Sequence, residues 1–314
     1  MGPQGRDETL LLPTAPSGPA GRPEELFASG SVEFVGTATV LIRYGGFTIL
    51  TDPNFLHRGD HVHLGFGMTA PRLTEPAFGI EQLPPVDLVV LSHLHGDHFD
   101  QIVEQKLDHA LPIITTPEAA RALRRKGFGA ARGLETWQRL IVTKGQARLT
   151  ITSAPARHAP GPMAWLLPLV MGSLLEWSSS DGDAPAICLY VSGDTLLREE
   201  LREIPRRFPS IDLALLHLGG TRLFGVLLTM DGRQGVEAIR WIQPRQVIPI
   251  HYDDYPVFKS SLAEFKREVE AAGFGDRVIY LERGQRHTFA VGPNRWPALA
   301  RKGSTRELPP PSRR

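Results

Sequence analysis

Residues 86–98 read Val-Asp-Leu-Val-Val-Leu-Ser-His-Leu-His-Gly-Asp-His. The first six residues form a nearly continuous apolar run, which predicts a strand buried on both faces. The remainder places four polar side chains, His93, His95, Asp97 and His98, within six residues. Burial without a partner costs roughly 2–7 kcal/mol for a neutral polar group, whereas imidazole and carboxylate are both zinc ligands. The stretch therefore predicts a metal-binding loop directly after a buried strand.

The surrounding sequence alternates between strand and helix patterns. A hairpin is predicted over residues 31–51 around the Gly45-Gly46 turn. Further strands and then helices are predicted over the following ranges: 112–116, 139–143, 147–153, 186–191, 211–216, 246–250 and 277–281; 117–126, 231–242 and 260–272. Early hairpins followed by alternating strands and helices predict an α/β layered domain with mixed sheets.

Several polar side chains lie at or just after the end of a predicted strand: His93, His158, Asp194 and His251. Strand ends present polar groups to a shared cleft, so we expect these side chains to converge. Taken alone, His158 is typical of a surface histidine, and Asp194 is typical of a helix N-cap with a helix starting at Leu196. His217 also follows a predicted strand and is a candidate proton donor to a leaving group.

The pattern His-x-His-x-Asp-His after a buried strand resembles the signature of the metallo-β-lactamase superfamily. Four further family positions are present in order, at Asp52, His158, Asp194 and His251. The resemblance covers about residues 31–290. It implies an α/β fold of four layers, an αββα sandwich of two mixed β-sheets flanked by helices, with a dinuclear metal site at one edge.

The same resemblance implies seven ligands for two zinc ions, with manganese or iron as alternative metals. They comprise three ligands of a first metal, three of a second and one bridging carboxylate: His93, His95 and His158; Asp97, His98 and His251; and Asp194. Asp52 is interpreted as a carboxylate that orients a ligand histidine.

The implied mechanism uses hydroxide. Two divalent ions lower the pKa of a bridging water toward roughly 7, and the resulting hydroxide attacks the substrate. Asp97 or Asp194 would hold or shuttle the proton, and His217 would be a donor to the leaving group.

The finer resemblance points to two substrate classes. Residues 51–55 and 83–87 are similar to the N-acyl-phosphatidylethanolamine phospholipase D group, whereas residues 228–232 and 249–252 are similar to the branch that includes ascorbate-phosphate lactonase. We expect a phosphodiester or an amphiphilic, phospholipid-like substrate, with a small-molecule lactone or carboxylic ester as the alternative. A di-iron redox protein and a non-catalytic scaffold are less favoured, because no flavin module is recognised and every ligand position is kept.

Composition limits the partners. Lys and Arg number 35 and Asp and Glu 34, so the formal net charge of +1 offers no basic face for nucleic acid.

The single cysteine, Cys188, lies in an apolar strand and is interpreted as a buried small hydrophobe, consistent with a reducing, cytoplasmic location. Residues 1–30 and 293–314 are rich in Gly, Pro and polar residues and are predicted to be flexible, which leaves residues 31–292 as the hydrolase domain.

Two segments near the predicted site have open interpretations. Residues 163–177 are too apolar for a bare surface loop, so they predict either a packed helix or strand extension, or a lid that accepts an acyl chain or touches a membrane. His57, His61 and His63 follow Asp52 and are expected to line the cleft without binding metal.

Overall fold

The computed structural model describes residues 8–13, 23–65, 68–161, 167–180, 186–223 and 225–291. The strands, numbered along the chain, are β1 (Glu8–Leu11), β2 (Ser29–Gly36), β3 (Thr39–Tyr44), β4 (Phe47–Thr51), β5 (His61–Gly65), β6 (Met68–Pro71), β7 (Leu88–Val90), β8 (Ile113–Thr115), β9 (Arg132–Gly133), β10 (Arg139–Lys144), β11 (Ala147–Pro155), β12 (Met171–Ser179), β13 (Ile187–Val191), β14 (Leu213–His217), β15 (Arg222–Leu223), β16 (Val226–Leu227), β17 (Gln246–Ile250) and β18 (Arg286–Ala290). The α-helices are α1 (Pro23–Leu26), α2 (Gln101–Lys106), α3 (Pro117–Arg125), α4 (Glu203–Arg207), α5 (Gly232–Ile242) and α6 (Leu262–Ala271). Short 3-10 helices span Ile80–Gln82, Glu199–Arg202 and Gly275–Arg277.

Two seven-stranded mixed sheets organise the described residues. The first has the order β18-β2-β3-β4-β7-β8-β9, antiparallel from β18 to β4 and parallel from β4 onward. The second has the order β1-β10-β11-β12-β13-β14-β17, in which β13, β14 and β17 run parallel. The carboxyl ends of these parallel strands meet along one edge of the molecule, where polar side chains can converge.

The two sheets face each other across one apolar core. Phe34 and Ile42 of the first sheet and Leu149 and Trp177 of the second belong to this core, and each is at most 1% exposed. The outer face of the first sheet is covered by α2 and α3, whose apolar residues form a second cluster with the other face of β7. With α5 and α6 packed against the second sheet, the layers are helix, sheet, sheet and helix. The predicted αββα sandwich is confirmed.

The three helices predicted from periodicity begin at capped residues. Side chains of Thr116, Asp231 and Ser261 accept hydrogen bonds from backbone N–H groups in the first turns of α3, α5 and α6. These caps satisfy amide groups that a helix start otherwise leaves without partners. The helix starts therefore agree with the sequence prediction to within two residues.

The predicted flexible arm over residues 1–30 is corrected where the structure describes it. Strand β1 pairs in parallel with β10, and Leu10 packs against the core. Phe27 is 2% exposed and contacts Tyr44 edge-on. Apolar side chains in an otherwise polar segment thus join the fold at its edge. The predicted tail over residues 293–314 lies outside the described residues.

The structure also bears on the apolar segment 163–177 and on the strand predicted over residues 277–281. Within the apolar segment 163–177, the residues from Met171 onward belong to β12, a central strand with Trp177 only 1% exposed, which favours the packed interpretation there. Residues 162–166 lie outside the described part. The strand predicted over residues 277–281 is wrong, because only one bridge, Val247 to Val278, forms there, and the last strand among the described residues is β18. No helix in the described segments has the length and apolarity needed to cross a membrane.

Candidate metal centre

The side chains predicted to converge lie at one edge, where several strands end. His93 lies three residues after β7, His158 three after β11, and Asp194 three after β13. His251 directly follows β17 and has a left-handed backbone conformation with φ of 63°. Such a conformation is uncommon for residues other than glycine and is found at functional sites.

Three imidazoles form the first group. Nε2 of His93 lies 3.0 Å from Nδ1 of His95 and 3.1 Å from Nε2 of His158. A tetrahedral zinc ion with bonds of about 2.0–2.1 Å holds its nitrogen ligands about 3.3 Å apart. Nδ1 of His158 lies 3.2 Å from the carbonyl oxygen of Leu228, to which it donates, so its Nε2 is left as a ligand atom. The spacing therefore fits one metal ion.

Two carboxylates and two imidazoles form the second group. Oδ2 of Asp97 lies 3.4 Å from Nε2 of His251, and Oδ2 of Asp194 lies 3.4 Å from Nε2 of His98. Oδ2 of Asp194 also lies 3.7 Å from Nε2 of His158, a member of the first group. Asp194 therefore stands between the two groups, at the place that the family resemblance implies for the bridging carboxylate.

Unpartnered buried atoms test whether metal ions fit. Oδ1 of Asp97, Nε2 of His98 and Oδ1 of Asp194 have no hydrogen-bond partner among the described residues. All three residues are at most 5% exposed. Leaving such groups buried without a partner is costly, and a divalent cation supplies one. The mixed nitrogen and oxygen donor set suits zinc, manganese or iron.

The electrostatics keep the first group neutral. Burial, reinforced by neighbouring imidazoles, lowers the pKa of His93 well below its ordinary value and that of His95 to about 4. For His98, burial opposes protonation, but the carboxylates of Asp194 and Asp97 outweigh it and raise the pKa well above 6.5. Neutral imidazole is the metal-binding form, so at neutral pH the first group is ready to bind while the second must release protons.

Asp52 lies behind His98. Its Oδ1 accepts hydrogen bonds from the backbone N–H and the hydroxyl of Ser92, both at 2.8 Å, and lies 3.3 Å from Nδ1 of His98. Asp52 is 1% exposed. A carboxylate in this position orients the imidazole so that Nε2 points at the metal site.

His217 lies against Asp52, and its role as a proton donor stays a prediction. Its ring is fully buried, with Nε2 3.4 Å from Oδ2 of Asp52 and Nδ1 3.2 Å from the hydroxyl of Ser192. It stacks on His98 at an interplanar angle of 12°. Both nitrogens thus face buried side chains, those of Asp52 and Ser192.

The structure also shows where Asp194 and the three histidines after Asp52 lie. Asp194 does not cap a helix, because the next helical turn is the 3-10 helix Glu199–Arg202 with Arg198 at its N-cap. His57 is exposed and pairs with Glu75. His61 and His63 are exposed residues of β5, and neither lies in a candidate ligand group among the described residues.

A cavity of about 210 Å³ lies over the two groups. Four candidate ligands, four apolar side chains, two threonines and one arginine line it: His95, Asp97, His158 and Asp194; Leu64, Leu167, Leu228 and Val257; Thr69, Thr221 and Arg222. Apart from Leu167 in the segment 163–177, these wall residues follow no spacing pattern in the sequence, because they come from separate segments of the chain. Four of the seven lining side chains other than the candidate ligands are apolar.

Comparison with known proteins identifies the family. The model of the beta-lactamase superfamily domain matches residues 48–252, more than half of the chain. A UPF0173 metal-dependent hydrolase of Hyperthermus butylicus is 26% identical over 268 residues, which cover 83% of this chain and all of the relative. One of Nanoarchaeum equitans is 28% identical over 198 residues, which cover 62% of this chain and 82% of the relative.

Solved structures share the fold. A possible metal-dependent hydrolase of Veillonella parvula superposes with a TM-score of 0.70 at 18% identity, covering 83% of this chain and 100% of that one. An isothiocyanate hydrolase from Delia radicum gut bacteria gives 0.69 at 19% identity, covering 83% and 99%. The chain thus belongs to the beta-lactamase superfamily, as a metal-dependent hydrolase with the metallo-β-lactamase fold.

Proposed function

We propose that this protein is a dinuclear zinc hydrolase that cleaves an ester-type bond, and that its preferred substrate is a phosphodiester with an apolar, phospholipid-like substituent. The observation that carries the proposal is the placement of Asp194 between two buried ligand groups at the floor of an apolar cavity. A single metal would use only one of these groups.

Zinc ions bound there would lower the pKa of a coordinated water toward roughly 7 and polarise the substrate oxygen. The protein itself contributes a proton acceptor, Asp97. Burial raises the pKa of Asp97, but His98 and His251 outweigh it, so the pKa lies at about 2. Asp97 therefore stays ionised at neutral pH and lines the cavity, where it can accept a proton and return it to the leaving group.

The cavity walls support the choice of a phosphodiester. Leu64, Leu228 and Val257 offer contact to an alkyl or aryl group. Arg222 is the only charged residue that lines the cavity apart from the candidate ligands, within the part of the chain that is described. A guanidinium matches the geometry of a phosphate, so Arg222 can hold a non-bridging phosphate oxygen.

A carboxylic ester or lactone of a small molecule is the second candidate. Nη1 of Arg222 donates to the carbonyl oxygen of Gly225 at 3.1 Å, within its own hairpin. If the guanidinium stays on the hairpin, the cavity offers apolar walls and two threonines, which suit an uncharged ester.

A matched substrate panel tests both candidates. Zinc-loaded protein is assayed on bis-p-nitrophenyl phosphate, a phospholipid, p-nitrophenyl butyrate and an acyl-homoserine lactone. Arg222→Met is expected to raise KM for the phosphodiesters and leave the neutral esters unchanged. Arg233→Met is the control, because Arg233 is exposed on α5 and does not line the cavity.

Three outcomes would contradict parts of the proposal. Turnover of the neutral esters alone would favour the second candidate. Full activity of His95→Ala on the best substrate would exclude this metal centre as the active site. Purification with iron and no hydrolysis of any substrate would argue for redox chemistry instead.

A further inference from the structure

A buried arginine lies close to the metal centre without touching it. Arg72 follows β6 and its side chain is fully buried. Nη1 donates to the backbone carbonyl oxygen of Asn54 at 3.2 Å and also to the side-chain Oδ1 of the same residue. Nη2 lies 3.5 Å from Oδ1 of Asp254. A buried charge is costly unless it is paired and hydrogen-bonded, so this arrangement calls for a reason beyond stability.

The first branch leads from Arg72 to the ligand loop. Because Oδ1 of Asn54 accepts from Arg72 and from the hydroxyl of Tyr255 at 3.1 Å, the amide of Asn54 has a fixed orientation. Its Nδ2 donates to the carbonyl oxygen of Gly96 at 3.0 Å. Gly96 separates His95, a candidate ligand of the first metal, from Asp97, a candidate ligand of the second.

On the side of Gly96 that faces β5, the loop packs closely against the neighbouring backbone. A Cβ atom on Gly96 would lie 2.5 Å from the carbonyl oxygen of His63 and 2.7 Å from Cγ2 of Val62. The backbone of Gly96 is therefore held between β5 and the Asn54 amide, and the directions of the side chains on either side follow from that placement.

The second branch leads to His251. Oδ2 of Asp254 accepts from the backbone N–H of Thr37 at 3.0 Å, and the carbonyl oxygen of Thr37 accepts from the N–H of His251 at 2.8 Å. Thr37 and His251 both have left-handed backbone conformations, with φ of 52° and 63°. Such backbones persist only where the surroundings hold them, and Asp254 is one such contact.

We propose that Arg72 is a positioning residue of the metal centre, which fixes the His95–Asp97 loop through Asn54 and the His251 backbone through Asp254. The inference rests on the metal centre of the proposed function. It assigns roles to Arg72, Asn54 and Asp254, which neither contact the cavity nor belong to the candidate ligand groups.

Two variants test the two links. Asn54→Asp keeps acceptors for Arg72 and Tyr255 but removes the donor to the Gly96 carbonyl. Arg72→Met removes the charge at similar length, and Arg283 still pairs with Asp254 at 3.0 Å, so the fold is expected to survive. Arg43→Met is the control, since Arg43 pairs with Glu33 on β2, in an ion pair that touches no ligand loop.

The readouts are metal content, metal affinity by chelator competition, and the visible spectrum of the cobalt-substituted protein. Loss of a contact that orients ligands typically lowers metal affinity or activity by about 10- to 100-fold. We expect a loss in that range and a shifted cobalt spectrum for Asn54→Asp and Arg72→Met, and neither for Arg43→Met. A merely structural role would lower the melting temperature and leave the cobalt spectrum of the folded protein unchanged.

Affinities within twofold of wild type together with superimposable cobalt spectra in both variants would overturn the inference. This outcome is distinguishable from failure of the proposed function. Wild-type protein that binds a single metal would overturn the dinuclear proposal, and the variants compared at that one metal would still decide the role of Arg72. Wild-type protein that binds no metal would overturn both.

Discussion

Oδ1 of Asp52 lies 3.3 Å from Nδ1 of His98, and neither side chain is more than 1% exposed. The same oxygen accepts two hydrogen bonds from Ser92, so the carboxylate cannot turn away from the imidazole. Asp52 itself has a left-handed backbone conformation with φ of 35° directly after β4. The orientation of a candidate metal ligand is thus set by a residue that follows a different strand.

Replacement of Asp52 by asparagine is expected to weaken metal binding. The amide keeps the size of the carboxylate but loses the charge that favours the orientation of His98, so affinity for the second metal should fall by about 10- to 100-fold. Chelator competition with zinc measures it. Asp87→Asn is the matched control, because Asp87 forms its ion pair with Lys144 at 2.7 Å, outside the candidate ligand groups. Equal affinities for the two variants would contradict the assigned role.

Substitution of His217 by glutamine tests whether His217 positions Asp52 or donates a proton to the leaving group. General acid catalysis contributes about 10²- to 10⁴-fold and matters most when the leaving group is poor. Because both ring nitrogens of His217 face Asp52 and Ser192, we expect kcat to fall by the same factor for esters with good and poor leaving groups. The check is a comparison of p-nitrophenyl and alkyl esters. A selective loss on the alkyl ester would identify His217 as the acid.

Acidification is expected to release the second metal before the first. Although burial opposes protonation of His98 and His251, nearby carboxylates, chiefly that of Asp194, raise both pKa values above 6.5, so protons compete with metal already above that pH. Burial lowers the pKa values of His93, His95 and His158, so protons compete there only below 6.5. Metal content after dialysis at pH 8, 7 and 6 should therefore fall from two ions per chain to one.

The variant His158→Ala supplies the control for that titration. It should retain mainly the second metal and lose it at a higher pH than the one at which wild type loses its last ion. Simultaneous release of both ions from wild type would contradict the assignment of the two groups.

Much of the metal centre could be predicted because its residues lie at strand ends. A buried apolar run followed by His-x-His-x-Asp-His places polar groups where a sheet ends, and the parallel order of β13, β14 and β17 brings distant ends together. The same logic does not determine which way the His217 side chain points. A strand end fixes where a residue lies, but which side of the sheet its side chain faces depends on register and packing, and His217 points behind Asp52.

Other features carry no periodic signal. Arg72, Asn54 and Asp254 are separated by up to 200 residues and meet only through tertiary folding. The Gly- and Pro-rich composition of residues 1–30 indicated flexibility, yet Leu10 and Phe27 find apolar partners that only the assembled sheets provide. Composition indicates how a segment behaves in isolation, whereas the structure around Leu10 and Phe27 depends on tertiary contacts with the sheets.

The apolar segment 163–177 offers a stability test of its packed part. Trp177 on β12 is 1% exposed and meets Tyr44 edge-on at 5.6 Å, across the two sheets. Trp177→Ala should lower the free energy of unfolding by about 3–5 kcal/mol, since truncation of a buried aromatic leaves a cavity. Leu169→Ala is the control from the same segment: Leu169 is 58% exposed, and its loss should change stability by less than about 0.5 kcal/mol. Urea denaturation of metal-loaded protein measures both, and equal losses for the two variants would contradict the placement of Trp177 in the core.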